Sequence, residues 1–372
     1  MALAKNTVQV AVSLGLIAAC AGGQANLPPA ATPSTQPPPQ PVSAKGQQPV
    51  PEVVDPEATD FPYPYPVHFL PLETQQQALR MAYLDVPANP TGPAADHASR
   101  APAVEGERCI VLLHGKNFSA AAWGPTIDLL SKQGFRVIAP DQIGFGKSSK
   151  PGNYQYSFAQ LAQNTRSLLD KLGLQRCSVL GHSMGGMLAV RFALLFPATT
   201  ERLILVNPIG LEDYSVSVPY RTVDEWYADE LKQTPDSIRE YQRTSYYNGA
   251  WKPAYEEQIQ LAAGFTRHPD YARVAWASAL AYDMIYTQPV ANDLPRLRVP
   301  TKLIIGLRDR TAVGRKFALP ESAATMGDYT QLGKRARDLI PGAQLIELAG
   351  VGHVPQVEAF PAFRDALLQL LR

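Results

Sequence analysis

The stretch Val179-Leu180-Gly181-His182-Ser183-Met184-Gly185-Gly186-Met187 decides how the rest of the chain is read. A short apolar run precedes it, a G-x-S-x-G signature fills its centre, and an apolar helical pattern follows. Together these read as a strand, a sharp turn and a helix. A serine at such a turn carries its hydroxyl out of the backbone at the C-terminal edge of a sheet. Gly181 and Gly185 suit points where strand and helix come too close for side chains. The helix behind Ser183 offers free N–H groups and a positive dipole end to a developing oxyanion. A bare G-x-S-x-G arises by chance in many chains; the flanking pattern makes this one a functional elbow.

Working outward, 372 residues can bury a large core, in one big domain or two smaller ones. The charge is nearly balanced, 34 basic against 33 acidic, which leaves no nucleic-acid footprint. Three cysteines, Cys20, Cys109 and Cys177, make neither a disulfide scaffold nor a zinc-ligand spacing. No metal site or cofactor loop is expected. The Gly-rich run at 181–186 is not a phosphate loop, because Ser183 sits at its centre and no G-K-[ST] follows.

Residues 1–19 carry one cation, Lys5, and an apolar run from Val8 to Ala19 that is short for a membrane span. The run ends Ile17-Ala18-Ala19-Cys20, which resembles a bacterial lipoprotein signal with Cys20 as the first mature, lipid-bearing residue. The alternative is an ordinary secretory signal and a soluble periplasmic or secreted product. The expected address is the cell envelope, with membrane contact through the anchor only. Residues 20–60, rich in Pro, Ala, Gln and Thr, read as a disordered tether. The run Phe61-Pro62-Tyr63-Pro64-Tyr65-Pro66 is expected to pack on the domain surface.

From Val67 onward, strand and helix patterns alternate. Strands are expected at 67–73, 78–86, 109–113, 135–139, 177–180, 202–206, 301–305 and 344–348. Helices are expected at 120–133, 158–172, 184–196, 331–339 and 362–370. The stretch 208–295 breaks the rhythm. Such alternation gives a mostly parallel sheet with helices on both faces. His114-Gly115, Asp141, Ser183, Asn207, Asp309 and His353 all fall just after strand ends, where reactive groups collect in such sheets.

Five motifs then carry a family resemblance. They are Leu113-His114-Gly115-Lys116, Asp141-x-x-Gly144-x-Gly146-x-Ser148, Gly181-His182-Ser183-Met184-Gly185-Gly186, Gly306-Leu307-Arg308-Asp309 and Gly352-His353. Over about residues 67–372 the chain resembles the α/β-hydrolases, in particular capped serine hydrolases. The resemblance implies an eight-stranded core from 61–207 and 296–372, with a helical cap at 208–295. The subgroup includes esterases, meta-cleavage C–C hydrolases and haloperoxidase-like enzymes. Its epoxide- and halide-displacing members carry Asp at the elbow, so Ser183 argues against those reactions.

Ser183 is the expected nucleophile and needs a base. His353 fits that role; His68, His97 and His268 lie outside the strand-end set, and His114 and His182 are expected to hold their turns together. Asp309 is the expected orienting acid, in the Ser, Asp, His order of this fold. Its separation of 44 residues from His353 is long, residues 312–330 look like an insertion, and Asp283 is the fallback. Asp141 is expected to brace its own Gly-rich loop. The backbone N–H groups of Lys116 and Met184 are the expected oxyanion donors. The Lys116 side chain is expected to be solvated or ion-paired; a cation beside the acyl group would instead favour anionic substrates.

The stretch 208–295 holds 14 of the 32 aromatic residues. Such a bias suggests a lid whose rings line an apolar pocket, and Trp226, Tyr247, Trp276, Tyr282 and Tyr286 are the candidate lining residues. The function expected is hydrolysis of a small carboxylic ester of apolar or aromatic character through an acyl-enzyme. The alternatives are C–C hydrolysis or acyl transfer on the same triad, and a binding protein on a dead hydrolase frame. In the resembled fold Cys109 and Cys177 lie on neighbouring parallel strands. Side by side there, they could bridge in an oxidising envelope, but such strands rarely suit disulfide geometry, so buried free thiols are expected.

Overall fold

The continuous apolar runs become the inner strands of one eight-stranded sheet, seen in a computed structural model that describes residues 49–89 and 108–372. The expected signal at 1–19, the lipidation at Cys20, most of the tether and His97 lie outside the described residues. The strands are β1 Val67–Thr74, β2 Gln77–Val86, β3 Cys109–Leu113, β4 Arg136–Pro140, β5 Cys177–His182, β6 Thr200–Val206, β7 Thr301–Gly306 and β8 Gln344–Leu348. Their order across the sheet is β1-β2-β4-β3-β5-β6-β7-β8. β1 pairs antiparallel with β2, and β2 with β4; every other pair is parallel.

Helices cover both faces, which is why β3 and β5 are buried at every position. Alternation along β3 sends Ile110 and Leu112 to one side, against α1 (Gly124–Lys132) and α10 (Phe360–Leu371). Val111 and Leu113 go to the other side, against α2 (Phe158–Lys171), α3 (Met184–Leu195) and α9 (Tyr329–Leu339). Helix α2 starts where expected, with Ser157 Oγ accepting from Gln160 N at 3.0 Å.

Between β6 and β7 the rhythm gives way to a helical cap: α4 Val223–Glu230, α5 Pro235–Ser245, α6 Pro253–Thr266 and α7 Tyr271–Thr287. The region expected as an insertion, 312–330, holds a 3-10 turn at Arg315–Phe317 and α8, Pro320–Thr325. Among the described residues no helix is long and apolar enough to cross a membrane.

Two expectations are corrected. The disordered tether does not extend to residue 60. Val54 is buried and its N donates to Gly264 O on α6 at 3.1 Å, and Lys147 Nζ donates to Ala58 O at 2.6 Å and Thr59 O at 2.8 Å. Val54, Ala58 and Phe61 supply the apolar contacts that a Pro-rich composition hides. This strap continues into the 61–66 run, which packs on the domain as expected: Tyr63 donates to Asp141 and Tyr65 to Asp128. The second correction concerns the thiols. Cys109 and Cys177 are disulfide-bonded, with Cα atoms 4.6 Å apart across the β3–β5 ladder. Ile110 stands opposite Ser178, so the two cysteines at the head of these strands face each other.

Candidate active site

The strand–turn–helix reading of the opening stretch holds. β5 ends at His182, α3 begins at Met184, and Ser183 between them is held at φ 56° and ψ −123°. A non-glycine residue in that region is strained by about 1–3 kcal/mol, and such strain clusters at functional sites. The tightness of the turn is measurable at Gly185, where a Cβ would sit 2.1 Å from the Leu113 carbonyl oxygen. Ser183 N donates to Val206 O at 3.2 Å, and Ser183 O accepts from Gly186 N and Ile209 N.

The loop after β8 brings His353 to the serine. His353 Nε2 lies 3.0 Å from Ser183 Oγ, and Nδ1 lies 2.7 Å from Asp309 Oδ2. All three side chains are buried. A carboxylate only accepts, so Nδ1 carries the proton and Nε2 is left to accept the serine proton. Asp309 is itself fixed: Oδ1 accepts from Thr311 N and Oδ2 from Asn207 Nδ2, each at 2.8 Å. The long 309–353 separation is taken up by the 3-10 turn, α8, α9 and β8. Asp283 accepts a hydrogen bond from Tyr220 on the cap instead of one from His353.

The flanking groups take structural roles, as expected. His182 Nε2 donates to the His353 carbonyl at 2.8 Å. His114 Nδ1 donates to Gly115 O at 2.9 Å, and its Nε2 accepts from Gln142 N at 3.1 Å. Burial holds both imidazoles below the ordinary histidine pKa, and for His182 the neighbouring His353 adds to this. Asp141 accepts from Ala120 N, Lys147 N and the Tyr63 hydroxyl, so it ties its loop to the helix after β3.

The turn after β3 runs beside Ser183: a Cβ on Gly115 would stand 3.0 Å from Ser183 Cβ. That places the start of the Lys116 segment and the first turn of α3, with Met184 at its head, on the same serine. The Lys116 side chain departs from expectation, being neither freely solvated nor ion-paired. Its Nζ donates to Ser278 Oγ at 2.6 Å and lies 3.5 Å from the centre of the Tyr282 ring.

Between cap and sheet lies a cavity of about 1220 Å³. Ser183, His353 and Asp309 are not among its lining residues, and Ser183 is only 5% exposed; the lining comes nearest to them at Tyr246, whose ring lies against that of His353. Of the aromatic residues expected there, Trp226 and Tyr282 line it, stacked with ring centres 4.5 Å apart. Tyr247, Trp276 and Tyr286 do not. Tyr247 is buried in a stack on Tyr255, Trp276 donates to Gly152 O and Tyr286 to Val218 O. They pack and fasten the lid.

Sequence reasoning gave no site role to four residues. Tyr246 lays its ring 4.6 Å from that of His353, and Asn117 Nδ2 holds its hydroxyl at 2.8 Å. Asn207 was placed at a strand end, but no motif tied it to Asp309. Val313 and Phe317 of the supposed insertion form part of the cavity wall, and Phe317 packs edge-on to Trp226. The aromatic bias pointed toward Tyr246 and the strand-end position toward Asn207; nothing in the local sequence marked Val313 and Phe317.

Comparison with known proteins agrees with this arrangement. Residues 109–360 match the alpha/beta hydrolase fold family. A solved structure of a probable hydrolytic enzyme from Pseudomonas aeruginosa PAO1 superimposes with a TM-score of 0.81 at 50% identity, covering 86% of this chain and 98% of that one. The 2-hydroxy-6-oxo-2,4-heptadienoate hydrolase of Pseudomonas putida is 27% identical over 264 residues, 67% of this chain and 83% of its own. A 2-hydroxymuconate semialdehyde hydrolase of Pseudomonas putida is 39% identical over 103 residues, 27% of this chain and 36% of its own.

Proposed function

The chain belongs to the alpha/beta hydrolase fold family and is a hydrolase; within that family we propose that it cleaves carboxylic esters of apolar or aromatic character through a Ser183–His353–Asp309 triad. The observation that carries this reading is the unbroken relay from Ser183 Oγ through the His353 ring to Asp309, at 3.0 and 2.7 Å. His353 takes the serine proton as Ser183 attacks the carbonyl, and Asp309 stabilises the imidazolium. The backbone N–H groups of Lys116 and Met184 receive the oxyanion; being fixed before reaction, they need no reorganisation. Return of the proton to the leaving alcohol gives an acyl-enzyme, which water then hydrolyses by the same steps in reverse order.

Support for an ester over a bare polar metabolite comes from the lining by Trp226, Tyr282, Phe118 and Tyr246. A panel of aryl esters graded by acyl length is the test. Turnover that depends on Ser183 and varies with acyl length is expected; absence of ester turnover beside rapid cleavage of a dienol ketone would overturn it. C–C hydrolysis is the second reading, and the names of the Pseudomonas putida relatives favour it. The Ile17-Ala18-Ala19-Cys20 signal supports an envelope protein anchored at Cys20. Labelling with a palmitate analogue in a Gram-negative host should mark Cys20, and an unlabelled mature chain would remove the anchor from the account.

A further inference from the structure

Triad chemistry uses the backbone of Lys116 and leaves its side chain unexplained. That side chain crosses from the turn after β3 into the cap. There it meets Ser278 Oγ and the face of Tyr282, both on α7. A hydroxyl and a ring face stabilise an ammonium without cancelling its charge. Among the described residues no carboxylate forms an ion pair with it, and the nearby Glu230 acts on it only through space. Loss of water pushes it below the ordinary lysine pKa, as a cation short of a counter-ion should be.

The other cations lining the cavity are committed elsewhere. Arg308 is paired with Glu358, Lys316 with Asp229 and Arg310 with Asp328. Lys150 is held by the Gly146 and Ser148 carbonyls, and Arg315 by the Ala323 carbonyl. Like Lys150 and Arg315, Lys116 meets neutral partners, and of these three it is the one that rises from the turn beside Ser183. Lys116 lines the cavity, and Ser278 Oγ takes one of the three N–H donors of its ammonium.

The same residue offers its backbone N–H beside Ser183 and its ammonium in the cavity, one lysine side chain further on. Resting on the serine-hydrolase reading, the geometry points to a substrate with two ends. We infer that Lys116 is a specificity-determining residue that binds the carboxylate of an acyl substrate whose scissile carbonyl sits at Ser183, as in a monoester of a dicarboxylic acid. Ser278 can rotate its hydroxyl to donate to the same carboxylate. The Tyr282 ring then flanks the intervening methylene chain.

The test compares monophenyl adipate with the neutral phenyl methyl adipate. The wild type should favour the acid in kcat/KM. Lys116→Met should lower the acid-to-neutral ratio by roughly 10- to 100-fold, the scale of one charge-assisted hydrogen bond in a water-poor site. Lys116→Arg should restore part of it. An unchanged ratio in Lys116→Met overturns the inference. If Lys116→Met does not fold, as judged by its thermal melt, Ser278→Ala takes its place and should lower the ratio in the same direction; no change again overturns it. Wild-type protein that cleaves neither ester counts against the ester reading alone. Adipate binding to Ser183→Ala protein, measured by calorimetry, then decides the carboxylate reading. Weakening of at least about tenfold when Lys116→Met is added supports it, and equal affinity overturns it.

Discussion

Asn207 shows how much of the site rests on single atoms. Its backbone sits at φ 38°, a region that asparagine tolerates better than most residues. Its side chain accepts from Gly306 N at 2.9 Å and donates to Asp309 Oδ2 at 2.8 Å. Asn207→Ala removes a hydrogen bond to a charged group, worth about 1.5–3 kcal/mol. As a positioning residue acting through Asp309, it should lower kcat roughly tenfold or more with little change in KM and shift the acid limb of the kcat/KM profile. An unaltered kcat would show that Asp309 is oriented without it. His114 and His182 set a second residue-level expectation. Burial depresses both pKa values, so the unfolded chain binds protons that the folded chain refuses. Their contribution is complete above the ordinary histidine pKa of about 6.5 and is lost as pH falls below it, at up to about 1.4 kcal/mol per pH unit per group. The thermal midpoint should therefore drop between pH 7 and pH 5. A flat midpoint over that range would mean that neither ring is held below the ordinary histidine pKa in the fold.

At the scale of elements, the elbow tolerates no bulk. Gly185→Ala drives a Cβ against the Leu113 carbonyl, backbone that cannot swing aside, so β3 and α3 must part. Loss of soluble, nucleophile-competent protein is expected; a variant that folds and reacts normally would show that the turn is looser than drawn. The strap is softer. A side chain at Gly264 would meet Val54 Cγ2 at 2.3 Å, and Gly264→Val should lift the strap from α6. Limited proteolysis should then cut within residues 49–61 faster than in the wild type while Ser183 keeps its reactivity. Equal cleavage rates would mean that the strap is held by Lys147 and Tyr63 alone. Core elements were legible in sequence to within a few residues, because each buried strand is a continuous apolar run closed by its own motif. Cap and strap were less so. An aromatic ring that lines a cavity and one that fastens a helix have the same composition, as Tyr282 and Tyr247 show. Three apolar residues, Val54, Ala58 and Phe61, bind a strap that reads as a Pro-rich linker.

At the scale of the whole molecule, one covalent link joins the strand that leads to Ser183 to the strand that leads to the Lys116 turn. Cys109 and Cys177 close a loop with a sequence separation of 68 residues. On the chain-entropy account such a loop contributes about 4 kcal/mol at most. The double variant Cys109→Ala, Cys177→Ala should lose about 2–4 kcal/mol by denaturant titration, and equal stability would show that the thiols are not joined in solution. The neighbourhood of the two cysteines was legible in the sequence; their joining was not, because it depends on local strand geometry, which no sequence pattern states. The juxtaposition of Ser183, Asp309 and His353 was legible because each follows a parallel strand of one sheet, and topology brings such ends together. What sequence could not supply was the second layer: Asn207 on Asp309, Tyr246 over His353, and the neutral partners of Lys116. The central claim is that Ser183 is a nucleophile activated by His353. Treatment with a fluorophosphonate followed by peptide mass spectrometry tests it most directly. A single adduct on the Ser183 peptide, sharply reduced in His353→Ala and absent in Ser183→Ala, is the predicted result; an unmodified Ser183 in folded wild-type protein would contradict it.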